Sequence, residues 1–341
     1  MERGGLCHPG AMDSAHVDDV ADRYAHFARF EVRERNPVYQ AWSTGLAEDA
    51  ETCELVATLP PLKRQPVLVF AAARHVGAPE VDDYASFRRF LHDNWAEIEQ
   101  VALTHSTQTN EAARCGVLLP FLSLLPGPLA LVEVGCSAGL CLYPDRYSYR
   151  FALDGGAVVE LGTGSPRLDC GLRDGVPAPR TLPEVVHRGG VDLHPLDPGD
   201  PTAAGWLHSL VWPGQHERLE RLDAALDVAA ADPPHVLVGD LVDRVEEAVA
   251  ACPAGSTPVV FHTAVLAYLE PERRAEFVRR VSALDCVWIS VEGVTILPEI
   301  EAAVPEKVRR NKGIFVVSVN GRPMATAHGH GAWVRALDPE D

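Results

Sequence analysis

Apolar residues recur at helical spacing through the first third of the chain, then give way to short apolar runs separated by amphipathic stretches. After a Gly-rich tail over residues 1–12, Asp13 and Ser14 offer an N-cap to a helix. Its Val17, Val20, Ala21, Tyr24, Phe27 and Ala28 form one stripe, which ends near Asn36-Pro37. A second helix is predicted over 81–103, where Phe87, Phe90, Leu91, Trp95 and Ile98 share a face and Arg88, Arg89, Asp93 and Glu97 lie elsewhere. The alanines of PVLVFAAARHV (66–76) favour helix, and NEAARCGVLLPFLSLL (110–125) reads as a helix bent at Pro120. Residues 1–126 are therefore expected to form a mainly helical domain.

Beyond Pro126-Gly127-Pro128 the pattern predicts strands at 129–135, 185–192, 235–239, 258–263 and 285–291. Helices fall at 216–230, 241–251 and 272–284, the last with Pro271 in a favourable first-turn position. Such alternation implies a doubly wound, mostly parallel sheet over 127–341. Two extended runs joined by Asn320-Gly321 predict an antiparallel hairpin near the end, and the Gly- and Pro-rich segment 152–184 reads as an irregular insertion.

The first of these strands runs into a turn with two chemical readings. Gly135-Cys136-Ser137-Ala138-Gly139 fits G-x-S-x-G, which presents a nucleophilic serine in hydrolases, and His328 and His330 follow in the order such enzymes use. Equally, Glu133-x-Gly135-x-x-x-Gly139 fits a glycine-rich turn that lets a nucleotide-like cofactor approach the backbone. The chain before the turn is helical and lacks a glycine-rich oxyanion loop, which favours the cofactor reading.

Composition narrows the partners. The chain carries 48 acidic against 30 basic residues, a formal net charge of -18, and no Lys/Arg run, so nucleic acid is not an expected partner. Its eight cysteines form no C-x-x-C pair and no zinc spacing, so no metal site is expected. With neither a signal-peptide pattern nor a long apolar stretch, a cytoplasmic protein with no membrane contact is expected. Oligomeric state leaves no trace in the sequence.

The glycine turn, the acidic strand ends and the terminal hairpin together resemble the class I S-adenosylmethionine-dependent methyltransferases. Glu133-x-Gly135-x-Ser137-x-Gly139 resembles their first-strand signature, with Ser137 replacing the middle glycine; GGVDLHP (189–195) resembles the second strand end and VLVGDLVD (236–243) the third. The resemblance implies a Rossmann-like, seven-stranded fold in which Asp192 accepts from the ribose hydroxyls and Asp240 contacts the adenine amino group. It also implies S-adenosylmethionine as cofactor, with Glu133 near the methionine amino group and Asn110 and Glu111 either covering that end or capping a helix. His262, at the end of VVFHT, and Glu292 are then the candidate catalytic groups, with His262 as base toward a small-molecule acceptor. Trp206, Trp212 and His216 are candidates for an acceptor pocket or for core.

Over its whole length the chain also resembles an uncharacterised bacterial family with a methyltransferase-like fold. QTNEAARC, LVEVGCSAGL, DRYSYRF, DLHPLDP, LVWPGQHERLERLDAAL and VVFHTAVLAYLEPE carry that likeness; Cys141 stands where the pattern has asparagine. A serine hydrolase using Ser137 and a nucleoside-binding relative without catalysis are the alternative functions.

Overall fold

In the computed structural model, residues 14–108, 110–311 and 313–337 are described; Asp13 and the expected N-terminal tail lie outside them. The chain forms two compact units. One comprises residues up to 109 together with Gly205–Arg218, and the other Asn110–Ala204 with the residues from Leu219 onward. The division therefore falls before the expected boundary at 126, and a segment from the middle of the chain returns to the first unit.

The first unit is helical. The expected N-terminal helix runs from Ser14 to His26 and continues as a single wider turn, Phe27–Glu31, before Asn36 caps the helix Pro37–Ala47 by accepting from the Tyr39 amide. The alanine-rich segment is the helix Pro66–Val76, whose middle is fully buried. The predicted 81–103 helix is two helices, Tyr84–Asp93 and Trp95–Thr104, because Asn94 leaves the helical conformation and bonds back to the Phe90 carbonyl. Its core is aromatic: Trp42 stacks on Phe87 at 4.0 Å, Phe70 meets both edge-on, and the returning Trp212 lies against Phe27 and Tyr39. Trp206 is buried beside His105 and His75. Both tryptophans weighed for an acceptor pocket thus pack within this unit, and His216 is exposed.

The second unit is a mixed α/β body around one sheet. Its strands are β1 Leu129–Val134, β2 Ser148–Leu153, β3 Val158–Leu161, β4 Arg167–Arg173, β5 Val185–Asp192, β6 His235–Val238, β7 Thr257–Thr263, β8 Val287–Gly293, β9 Phe315–Val319, β10 Arg322–Ala327 and β11 Trp333–Ala336. They pair in the order β3-β2-β4-β11-β10-β9-β8-β7-β1-β5-β6. The sheet therefore has eleven strands, not seven. The surplus comes from β2, β3 and β4, in and just before the segment expected to be an irregular insertion, and from β11, which pairs in parallel with β4. The expected hairpin is present: Val319 pairs with Arg322, and Asn320 and Gly321 both adopt the left-handed conformation a two-residue turn requires.

Five parallel strands, β6-β5-β1-β7-β8, form the centre, with antiparallel β9 beside β8. β1 is buried at every position, as a parallel strand covered on both faces must be, and this explains why LALVEV is apolar apart from Glu133. From β1 the chain eventually reaches β5 on one side, whereas β7 leads to β8 on the other. In open α/β sheets such a reversal, here at the carboxyl ends of β1 and β7, is the usual location of ligands. One core layer joins Val132, Val134, Val260 and Trp288 to Val242 and Val245 of the helix Leu241–Ala250 and Phe277 of the helix Pro271–Ser282. The predicted helix over 110–125 is shorter: a 3-10 turn, Ala112–Arg114, precedes the helix Cys115–Leu122, which contains Pro120.

Candidate functional site

The turn after β1 is left-handed at Gly135 (φ +72°), Ser137 (φ +51°) and Gly139 (φ +69°). Gly135 has little choice of residue, since a Cβ there would meet Val265 Cγ2 at 2.2 Å. The turn is fastened to β5 by the Gly135 amide, which donates to the Val191 carbonyl at 2.7 Å. Asp192, at the end of β5, completes the fastening: its Oδ2 accepts from the Ser137 amide and its Oδ1 from the His194 amide, both at 2.8 Å.

Asn110 braces the other side. Its Nδ2 donates to Ser137 Oγ at 2.9 Å and its Oδ1 accepts from the Ala138 amide at 3.2 Å. Glu111 caps the 3-10 turn through the Ala113 amide and pairs with Arg221 at 2.8 Å. Of the two neighbours, Glu111 therefore does the capping, and Asn110 holds the glycine turn.

Glu133 lies at the root of this arrangement, buried, with Oε2 lacking any hydrogen-bond partner. Burial pushes its carboxyl well above the usual range, the nearby Cys141 and Asp192 add to the push, and Arg114 opposes it. Arg114, which the sequence did not single out, is buried and bridges two loops by donating to the Gly329 carbonyl and to both oxygens of Thr263. The signal for it was one arginine between the two alanines and the cysteine of NEAARC. Cys141 donates to the Glu111 carbonyl, and its thiol is raised by its hydrogen bond with the Cys115 thiol and then by burial.

Asp240 stands at the mouth of β6. It caps the helix Leu241–Ala250 through the Val242 amide at 2.8 Å and pairs with Arg273 at 3.0 Å. Three large apolar side chains lie exposed at neighbouring carboxyl ends: Leu193 after β5 (58%), Val238 closing β6 (63%) and Tyr268 in the turn after β7 (71%).

His262 and Glu292 come together, but within the core. The register pairs Glu133 with Phe261, so His262 points to the opposite sheet face from Glu133. It is fully buried, its Nε2 accepts from Trp288 Nε1 at 3.0 Å, and its Nδ1 therefore carries the proton given to Glu292 Oε1 at 2.7 Å. The same Glu292 oxygen accepts from the amides of Val265 and Leu266, fixing the loop that rests on Gly135. With both ring nitrogens committed, His262 as found is a brace for that loop.

Among the described residues no group of three or more His, Cys, Asp or Glu side chains is placed to hold a metal ion, and no helix is long and apolar enough to cross a membrane. Residues 21–336 match a family described as an uncharacterised protein conserved in bacteria (DUF2332), and the chain belongs to that family. No curated protein matches it.

Proposed function

We propose that this family member binds S-adenosylmethionine across the carboxyl ends of β1, β5 and β6 and transfers a methyl group to a small-molecule acceptor. The observation that carries the reading is a buried carboxylate oxygen without a partner, on Glu133, at the root of a left-handed glycine turn that two side chains hold open. A buried carboxyl in that state costs stability, and a ligand amino group placed against it would recover the cost.

The rest of the cleft suits a nucleoside. Asp192 gives one lone pair of each oxygen to a backbone amide and retains another for ribose hydroxyls. Leu193 and Val238 offer apolar surface for a flat base, next to Asp240. The strand order β6-β5-β1-β7-β8 supports this reading, because it resembles the central order of doubly wound nucleotide-binding sheets. The cofactor, when bound, supplies a methyl on a positively charged sulfur. The chain's part is to grip its two ends and exclude water between them.

His262 takes a positioning role in this reading, with Glu292, through the loop packed on Gly135. The cysteines recorded in the described residues are all free thiols, in keeping with a reducing cytoplasm. Calorimetry with S-adenosylmethionine and S-adenosylhomocysteine tests the proposal; no heat of binding at millimolar ligand removes it.

One observation favours the serine hydrolase: Ser137 is a non-glycine residue at positive φ, as a nucleophile elbow is. Against it, the Ser137 hydroxyl accepts from Asn110 and its amide is bound by Asp192. A serine-directed probe that labels the wild type but not Ser137→Ala would decide for the hydrolase.

A further inference from the structure

A second cluster of ionisable groups lies wholly within the helical unit. His75, in the last turn of the helix Pro66–Val76, and His105, just past the helix Trp95–Thr104, have ring centroids 6.0 Å apart. Trp206 packs against both, at 5.8 Å and 4.5 Å. Lys63 reaches the same place, donating to the His105 carbonyl and to Ser106 Oγ.

The hydrogen bonds fix which ring atoms are available. His105 Nδ1 faces the Val101 carbonyl at 3.0 Å, which can only accept, so Nδ1 carries the hydrogen and Nε2 a lone pair. Ser209 Oγ gives its hydrogen to the Gly205 carbonyl, so His75 Nδ1 must donate to Ser209, again leaving Nε2 as a lone pair. Burial lowers the affinity of the His105 imidazole for a proton, the Val101 carbonyl opposes this, and positive charge on Lys63, or on His75 once it is protonated, lowers it further.

No acidic side chain among the described residues pairs with Lys63, His75 or His105. Nearby Arg74 is paired with Glu80, and Glu99 accepts from Thr58. In a chain of formal net charge -18, three half-exposed basic groups gathered without a counter-ion form an unusual local balance.

We infer that Lys63, His75, His105 and the Trp206 ring form a binding site for a small anion, a carboxylate or phosphate, separate from the glycine-turn cleft. The anion supplies the missing negative charge. Each imidazole can then take a proton from solvent at Nε2 and donate it as a charge-assisted hydrogen bond, while its Nδ1 anchor holds the ring in place. Binding is therefore coupled to proton uptake.

Calorimetry on the full chain with inorganic phosphate and with benzoate tests this, in buffers of different ionisation enthalpy and at two salt concentrations. Expected is a Kd below about 1 mM for at least one probe, with protons taken up above pH 7, and a loss of tenfold or more (about 1.4 kcal/mol) in both His75→Gln and His105→Gln. Phosphate-only binding points to a phosphorylated ligand and benzoate-only binding to an aromatic acid. The proposal is overturned by no binding of either probe, by an adventitious ion only (weak, salt-sensitive binding unchanged in both variants), or by binding without proton uptake. Thermal melting checks that the variants fold. Loss of S-adenosylmethionine binding would leave this site untouched, since its groups belong to the other unit.

Discussion

Asp192 and Ser137, 55 residues apart in the chain, meet through a 2.8 Å bond from the Ser137 amide to the Asp192 carboxylate. The carboxylate proposed to hold a sugar thus also shapes the glycine turn. Asp192→Ala should cost about 1.5 to 3 kcal/mol of folding stability through lost amide bonds to a charged group, and weaken S-adenosylhomocysteine binding by a similar amount. Asp192→Asn retains an acceptor for one amide and should recover part of the stability. Unchanged affinity in the Ala variant, measured by calorimetry, would remove the ribose assignment.

Gly135 and Val265 provide a double-mutant cycle. Gly135→Ala places a methyl 2.2 Å from Val265 Cγ2 on a residue at φ +72°, and should destabilise the protein by about 2 to 4 kcal/mol. Adding Val265→Ala removes the 2.2 Å contact with Cγ2 but leaves the 2.8 Å contact with Cβ and the backbone strain. Denaturation of the double variant should therefore show it less unstable than the sum of the two single changes. Additive costs would mean that loop and turn do not touch in solution.

Glu133 should be a source of instability that the ligand relieves. Its folded-state carboxyl titrates well above the ordinary value, chiefly because it is buried. Below about pH 4 it is protonated in both the folded and the unfolded chain and costs nothing. As pH rises, the unfolded chain ionises first, so the folded state loses stability until its own carboxyl ionises. Glu133→Gln should accordingly be more stable than wild type at neutral pH, with the gain shrinking towards pH 4, while binding S-adenosylmethionine more weakly. In wild type, a cationic amino group against Glu133 should expel a proton, detectable as a buffer-dependent binding enthalpy. A Gln variant that binds equally well takes Glu133 out of the site.

Glu292 gathers three donors on one buried oxygen. Glu292→Ala strands all three, for an expected loss of about 3 to 5 kcal/mol. His262→Asn should be milder, because the Val265 and Leu266 amides keep their acceptor. Hydrogen exchange at those two amides should accelerate in Glu292→Ala and stay near wild type in His262→Asn; equal acceleration in both would make the imidazole, and not the carboxylate, the brace.

The central strands were legible because a strand covered on both faces must be almost wholly apolar, as LALVEV is apart from Glu133, and the terminal hairpin because Asn-Gly suits left-handed backbone. β3 and its neighbours at the far edge of the sheet were not. Half-buried Val159 and Leu161 alternate with exposed Val158 and Glu160 over too few residues to separate a strand from a loop. The carboxyl-edge position of Asp192 could be read from its place after GGV, but the Ser137 amide it accepts from lies in a turn 55 residues away. His262 shows the limit most clearly: VVFHT places it at a strand end, yet whether the ring faces a ligand or the core is decided by Trp288, on a different strand.

The return of Gly205–Arg218 to the helical unit governs how the chain can be made. When the ribosome has released only the first 109 residues, Phe27 and Tyr39 still lack the indole of Trp212, and His75 and His105 still lack that of Trp206. Completion of this aromatic core waits until β1 through β5 have been synthesised. A truncation ending at residue 109 should therefore emerge as a sticky, incompletely closed helical fragment, and any attempt to divide the protein for expression must supply the returning segment with it.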